Sequence, residues 1–337
     1  MSVTAEKVKE EPGIGTRCIR SQQFDLDTLY KLCELTDKIR NICQTKEGSN
    51  YISSLLNDKR AMLYFKQPST RTFLSFQNAC HILGIKCSEI RDISTSSFMK
   101  GETELDGVKT FSQYVDLIIM RHTSTDFVNL IDSNLNNNMR IINAGSGTDQ
   151  HPTQALLDFY TIYKYGFKNK KIAFVGDLNR GRTVRSLALM LSKIDGMKLY
   201  FIAPNGYQIK SDILEQLEVP YELTDDLESI MPLVDYIYMT RLQDEYGGIE
   251  ETWDPDAYKI DLNNVNRLKN NAIILHPLPR RDEIAVEIDN DPRAKYWEQT
   301  ANGLWVRVAL IASMFNISAD DIDKSKDYNK IKRLYLK

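Results

Sequence analysis

The chain has 337 residues, 42% of them hydrophobic, with 43 lysines and arginines against 46 aspartates and glutamates and a formal net charge of −3. Such a length suits about two domains of roughly 100 to 200 residues, each apolar enough for its own core, which excludes a disordered or fibrous chain. The near balance of charge leaves no global positive field, so neither nucleic acid nor membrane is an expected partner.

Residues 1 to 16 open with MSVTAEKVKEEP, lack the order of a secretory signal, and read as a flexible tail. No apolar run approaches the roughly 18 residues of a membrane span, so a cytoplasmic protein is expected. Cys18, Cys33, Cys43, Cys80 and Cys87 are odd in number, form no Cys-x-x-Cys pair, and read as idle reduced thiols.

Short apolar runs then recur at 61–65, 116–120, 140–143, 171–175, 198–203, 235–240 and 271–275, the pattern of buried parallel strands. Helical spacing lies between them: Phe73, Phe76, Cys80 and Leu83; Leu156, Phe159, Tyr160 and Tyr163; Val184, Leu187, Leu191 and Ile194. Strand alternating with helix predicts an α/β fold. Residues 317–337 read as a charged, partly helical end.

Polar and basic residues follow the strands, where open α/β sheets bind ligands. Pro68, Ser69, Thr70, Arg71 and Thr72 lead from a strand into a helix, aiming hydroxyls, backbone N–H groups and a guanidinium at one point, which suits phosphate. A plainer reading makes Ser69 or Thr70 a helix cap and Arg71 a surface charge. No nucleotide P-loop or dinucleotide glycine motif occurs, which weighs against a kinase or a dinucleotide oxidoreductase.

His151-Pro-Thr-Gln154 places a proline at a first helical position, with His151 at the cap and Gln154 one turn in. His276-Pro-Leu-Pro-Arg280 restricts the backbone at two prolines, either to hold carbonyl oxygens outward or simply to turn the chain. Arg182 and Arg241 each follow a strand and together suit a dicarboxylate, although each alone reads as a surface arginine. His81 reads as structural, and the four histidines lack metal-binding spacing, so no metal is expected.

These motifs, with Lys100-Gly-Glu-Thr and Met120-Arg-His, occur in the order of the transcarbamylase family, and residues 17 to 316 resemble its aspartate branch. Ornithine enzymes typically carry a His-Cys-Leu-Pro motif and a late Ser-Met-Gly motif; this chain has neither. The resemblance implies two domains, each a parallel sheet flanked by helices. The carbamoyl phosphate domain would comprise 17–151 and a returning segment 304–337, and the aspartate domain 152–303.

It further implies transfer of a carbamoyl group from carbamoyl phosphate to the α-amine of L-aspartate, an early step of pyrimidine synthesis, without cofactor. The site would be completed across a homotrimer by a neighbour's Ser96 and Lys100. Ser69, Thr70, Arg71, Thr72 and Arg121 would hold the phosphate, and Thr72, Arg121 and His151 the carbamoyl oxygen. Gln154 and the carbonyls of Pro277 and Leu278 would hold the amino group, and Arg182, Arg241, Gln243 and Lys100 the aspartate. Regulatory or dihydroorotase chains are further expected partners.

Three departures stand out against the family pattern. Phe73 and Gln77 replace a customary Arg and Glu one helical turn apart, losing that pair as a unit. Gln67 and Tyr246 replace charges that bridge the domains in relatives. Asp244, Glu245, Glu250, Glu251, Asp254 and Asp256 form an acidic run that reads as a solvated loop, or else as a sign of another acceptor amino acid. A noncatalytic homologue binding phosphorylated metabolites is the alternative from another class.

Overall fold

The computed structural model describes residues 14–91, 101–147, 151–243, 254–325 and 328–330. Ser96, Lys100, Asp244, Glu245, Tyr246, Glu250 and Glu251 therefore lie outside the described residues. Among those described, ten strands form two five-stranded parallel sheets. The first holds β1 (Arg17–Cys18), β2 (Arg60–Phe65), β3 (Lys86–Ile90), β4 (Leu117–His122) and β5 (Arg140–Ser146) in the order β1-β5-β4-β2-β3. The second holds β6 (Lys171–Val175), β7 (Lys198–Ile202), β8 (Tyr221–Thr224), β9 (Tyr236–Met239) and β10 (Ile273–Leu275) in the order β10-β9-β6-β7-β8.

Parallel neighbours require crossovers, and helices supply most of them. They are α1 (Leu26–Ile42), α2 (Lys46–Ser54), α3 (Thr70–Ile82), α4 (Glu104–Phe111), α5 (Thr125–Asn134), α6 (Pro152–Tyr165), α7 (Arg182–Leu191), α8 (Ser211–Leu214), α9 (Leu227–Ile230), α10 (Tyr296–Met314) and α11 (Ala319–Lys324). Both sheet faces are covered, so alternate strand residues enter different cores. In β2, Ala61, Leu63 and Phe65 face one cluster, while Met62 and Tyr64 face another.

The seven apolar runs are all strands. β3 and β8 lie at sheet edges with mostly exposed residues, and β1 is two residues long, so none carries a buried run to read. The helical spacings at 73–83, 156–163 and 184–194 fall on α3, α6 and α7, save that Leu83 is the C-cap of α3 and Ile194 lies beyond the end of α7. At α3, Phe73 packs edge-on against Phe65 with the Arg91 guanidinium over its ring, and Gln77 donates to Glu89. An aromatic contact and an amide hydrogen bond thus stand where the resemblance led to an ion pair being expected.

The main apolar cluster does not stop at a domain boundary. It runs from Leu63 and Ile119 of the first sheet through Phe159 of α6 and Val308 and Ile311 of α10 to Phe174 and Leu199 of the second. Two smaller clusters cover the outer faces of the sheets. Ile14 is buried, and α11 forms part of the charged end.

All five cysteines are free; Cys18, Cys33 and Cys80 are buried. Burial pushes the Cys43 thiol up to about 11. Among the described residues no helix is long and apolar enough to cross a membrane.

Candidate active site

Each sheet has a point where the strand order reverses. After β2 the chain moves outward to β3 and then returns to β4 on the other side; β6, β7 and β9 repeat the pattern in the second sheet. Crevices beyond the carboxyl ends at such points are where α/β sheets bind ligands. Here both crevices open into a single cavity of about 470 Å³.

At the first switch, Lys66 and Gln67 leave β2 and donate their backbone N–H groups to the carbonyl of Arg121 at the end of β4. Ser69 then takes the N-cap of α3 in an extended conformation, and its side chain makes no capping hydrogen bond. Ser69 thus holds the cap position without capping through its side chain. Ser69, Thr70, Arg71 and Thr72 line the cavity beside the positive end of the helix.

The carboxyl end of β5 reaches α6 with His151 at the cap and Pro152 in the first turn. His151 Nδ1 accepts the Gln154 N–H at 3.3 Å, and the His151 N–H donates to Ser186 Oγ of α7 at 3.1 Å. The other ring nitrogen, Nε2, lies within hydrogen-bonding distance of Arg121 Nη1, at 3.3 Å. Arg121 Nη1 also donates to the Ala144 carbonyl. Gly145 allows this approach: its φ is +115°, and a Cβ there would sit 2.8 Å from Arg121 Nη1 and 3.1 Å from His151 Cδ2.

Burial, followed by the charges of Arg182, Arg121 and Arg307, holds His151 well below the usual imidazole range. A neutral imidazole thus stands beside a guanidinium on the cavity wall, two polar groups that can meet a developing oxyanion together.

At the second switch, Asp177 organises both loops. Its carboxylate accepts from the backbone N–H groups of Arg180 and Gln243, each at 3.1 Å, tying the exit of β6 to that of β9. Arg182 donates to the Gly147 carbonyl and to Gln67 Oε1, at 3.4 and 3.5 Å for the latter, joining the two halves through a neutral amide. Arg241 faces Arg71, whose guanidinium is pushed below the ordinary arginine range by burial and then by Arg241.

His276 builds the proline turn. Its Nδ1 accepts from the Leu278 N–H at 2.8 Å, and its Nε2 meets Glu283 at 2.6 Å. Pro277 and Leu278 are thereby fixed on the cavity wall. Gln299 Oε1 accepts the His276 N–H at 2.9 Å.

Ser69, Thr70, Arg71, Thr72, Arg121, His151, Gln154, Arg182, Arg241, Gln243, Pro277 and Leu278 thus line one space. Lines of sequence reasoning missed Ser75, Gln299 and Arg307, which also line it. Arg307 lies inside α10, donates to Ser75 Oγ at 2.8 Å and packs over Phe76; burial lowers it to about 10. Its signal was a lone arginine in the apolar stretch GLWVRVALIASM. Five guanidinium groups and no carboxylate face the cavity among the described residues, the electrostatics of an anion site.

His122 instead turns to the other face, where it meets Glu104 at 2.9 Å, and Glu104 also pairs with Lys66. His81 is exposed on α3, and Asp254 and Asp256 are exposed, the latter paired with Lys259.

Two parallel sheets whose switch points share one cationic cleft make a binding protein for small anions, and the chain belongs to the aspartate/ornithine carbamoyltransferase family. Residues 17–164 match its carbamoyl-P binding domain and 168–314 its Asp/Orn binding domain. Within that family the similar proteins are aspartate carbamoyltransferases. The chloroplastic aspartate carbamoyltransferase 1 of Pisum sativum is 39% identical over 87% of this chain and 77% of its own. The aspartate carbamoyltransferase catalytic subunit of Vibrio cholerae is 40% identical over 78% of this chain and 87% of its own. The Trypanosoma cruzi aspartate transcarbamoylase solved with N-(phosphonacetyl)-L-aspartic acid superposes with a TM-score of 0.81 at 32% identity, covering 89% of this chain and 95% of that one.

Proposed function

We propose that the chain is an aspartate carbamoyltransferase, transferring the carbamoyl group of carbamoyl phosphate to the α-amine of L-aspartate to give N-carbamoyl-L-aspartate and phosphate. The observation that carries this reading is the meeting of His151 Nε2 and Arg121 Nη1, 3.3 Å apart, on the wall of a cleft lined by five arginines. Trypanosoma cruzi relatives solved with carbamoyl phosphate and aspartate, and with carbamoyl aspartate and phosphate, support it.

The phosphate sits at the α3 amino terminus against Ser69, Thr70, Arg71, Thr72 and Arg121. The carbamoyl oxygen accepts from Thr72, Arg121 and His151, and the carbamoyl amino group donates to Gln154 and the Pro277 and Leu278 carbonyls. Arg182, Arg241 and Gln243 grip aspartate, the guanidinium forks matching its carboxylates. The unprotonated amine attacks the carbamoyl carbon, the tetrahedral oxyanion falls against Thr72, Arg121 and His151, and the C–O bond to phosphate breaks as phosphate leaves with the electron pair and takes up the proton that the amine gives up. Each such donor is worth about 3 to 4 kcal/mol in comparable acyl transfers.

Ser96 and Lys100 complete the site from a neighbouring subunit of a cytoplasmic homotrimer; the family resemblance supports this arrangement. Carbamoyl phosphate and aspartate incubated with the purified chain should release phosphate and carbamoyl-aspartate in equal amounts, with a native mass three times that of the chain. Absence of product would overturn the reaction, and full activity in a monomer would overturn the shared site.

A further inference from the structure

Asp158 lies one helical turn beyond Gln154 in α6, fully buried and outside the cavity wall. Its Oδ1 accepts from Gln154 Nε2 at 2.9 Å and from Gln299 Nε2 at 2.6 Å, and its Oδ2 accepts from the Tyr238 hydroxyl at 2.7 Å. An ionised carboxylate can only accept, so it dictates which end of each amide it meets. Gln154 must give Asp158 its NH₂ and leave Oε1 for the cavity. Gln299 must do the same, and its Oε1 holds the His276 N–H at the start of the Pro277–Leu278 turn.

One buried carboxylate therefore sets two parts of a single wall. In the reaction proposed above, Gln154 on one side and the Pro277 and Leu278 carbonyls on the other make that wall an acceptor surface. Resting on the reaction proposed above, we infer that Asp158 is a positioning residue for substrate selection, holding an acceptor-only wall that takes the amino group of carbamoyl phosphate and rejects the methyl group of acetyl phosphate. The two compounds share phosphate and carbonyl and differ only in that NH₂ or CH₃. An acceptor facing a methyl group stays unsatisfied, whereas one facing NH₂ is paired. If the Gln154 amide turned over, donor would face donor and the preference would fall.

Burial pushes the Asp158 carboxyl up to about 7, so the wall is fully set above that pH. The test is made at pH 8.5. The ratio of kcat/KM for carbamoyl phosphate to that for acetyl phosphate is measured with saturating aspartate; in the second reaction the amine takes the acetyl group and phosphate leaves. Asp158→Ala and Asp158→Asn are compared with the wild type and with Tyr238→Phe, each checked for folding by thermal unfolding.

The ratio should fall about tenfold or more in Asp158→Ala and fall less in Asp158→Asn. It should stay at the wild-type value in Tyr238→Phe, which leaves both amides on Oδ1. In a Gln154→Leu background, Asp158→Ala should lower the ratio less than it does in the wild type, and an undiminished effect there would overturn the inference. A folded Asp158→Ala with the wild-type ratio, whatever its overall rate, overturns the inference, since a merely structural loss slows both substrates alike. Loss of the ratio in Tyr238→Phe overturns it too, and that result does not depend on the Asp158 variants folding. A wild type that makes no carbamoyl-aspartate would instead refute the proposed reaction.

Discussion

His151 and Arg121 show how a neutral ring and a charged fork divide one task. Because desolvation and three neighbouring arginines keep the imidazole uncharged, it adds a donor without adding a further cation to the cleft. His151→Ala should lower kcat by about 100-fold or more while KM for carbamoyl phosphate changes little, because the oxyanion develops after binding; steady-state kinetics check this. Gly145→Ala should inactivate by another route, since the new Cβ would displace Arg121 Nη1. A loss of at least about tenfold in kcat is expected with phosphate binding partly retained, measurable by phosphate protection against unfolding.

Asp158 makes a pH prediction. Its carboxyl is raised from 3.8 to about 7, chiefly by burial, so the folded chain retains a proton that the unfolded chain releases. The resulting stabilisation is complete below about 3.8 and is lost as pH rises through about 7. The Tm advantage of the wild type over Asp158→Asn should therefore shrink between pH 5 and pH 8; an advantage that grows over that interval contradicts the assignment.

At the scale of elements, what the sequence makes legible follows burial. Strands such as β4 and β6 are covered on both faces and print as unbroken apolar runs, while edge strands β3 and β8 carry Lys86, Glu89 and Glu222 and look like loops. Cavity residues follow the same logic. Those just after a strand stand out as polar punctuation, whereas Gln299 acts from within a helix, as does Asp158 behind the wall, and both are visible only once α6 and α10 are packed together. Ile311 of α10, with no exposed surface, sits in the shared core, and Val286 is 69% exposed. Ile311→Ala should cost about 2 to 5 kcal/mol in urea unfolding, against about 0.5 kcal/mol or less for Val286→Ala.

For the molecule as a whole, the net charge of −3 conceals a separation of charge. Five arginines face one cavity, so the rest of the surface is more acidic than the total. Steering of two anions into such a cleft weakens as salt screens the field over about 10 Å at 0.1 M. KM for both substrates should rise with ionic strength, and an Arg71→Gln variant should show a shallower salt dependence in the same assay.

The continuity of the main core through α10 also bears on how the chain is made. The cluster that contains Leu63, Phe76 and Ile119 is closed by Val306, Val308 and Ile311, which leave the ribosome 187 to 248 residues later. The first half therefore emerges with an apolar face that nothing yet covers, and it must wait through synthesis of the whole second half. Its folding is completed only at the end of translation, so the nascent chain, more than the finished molecule, is the form exposed to aggregation and to chaperones.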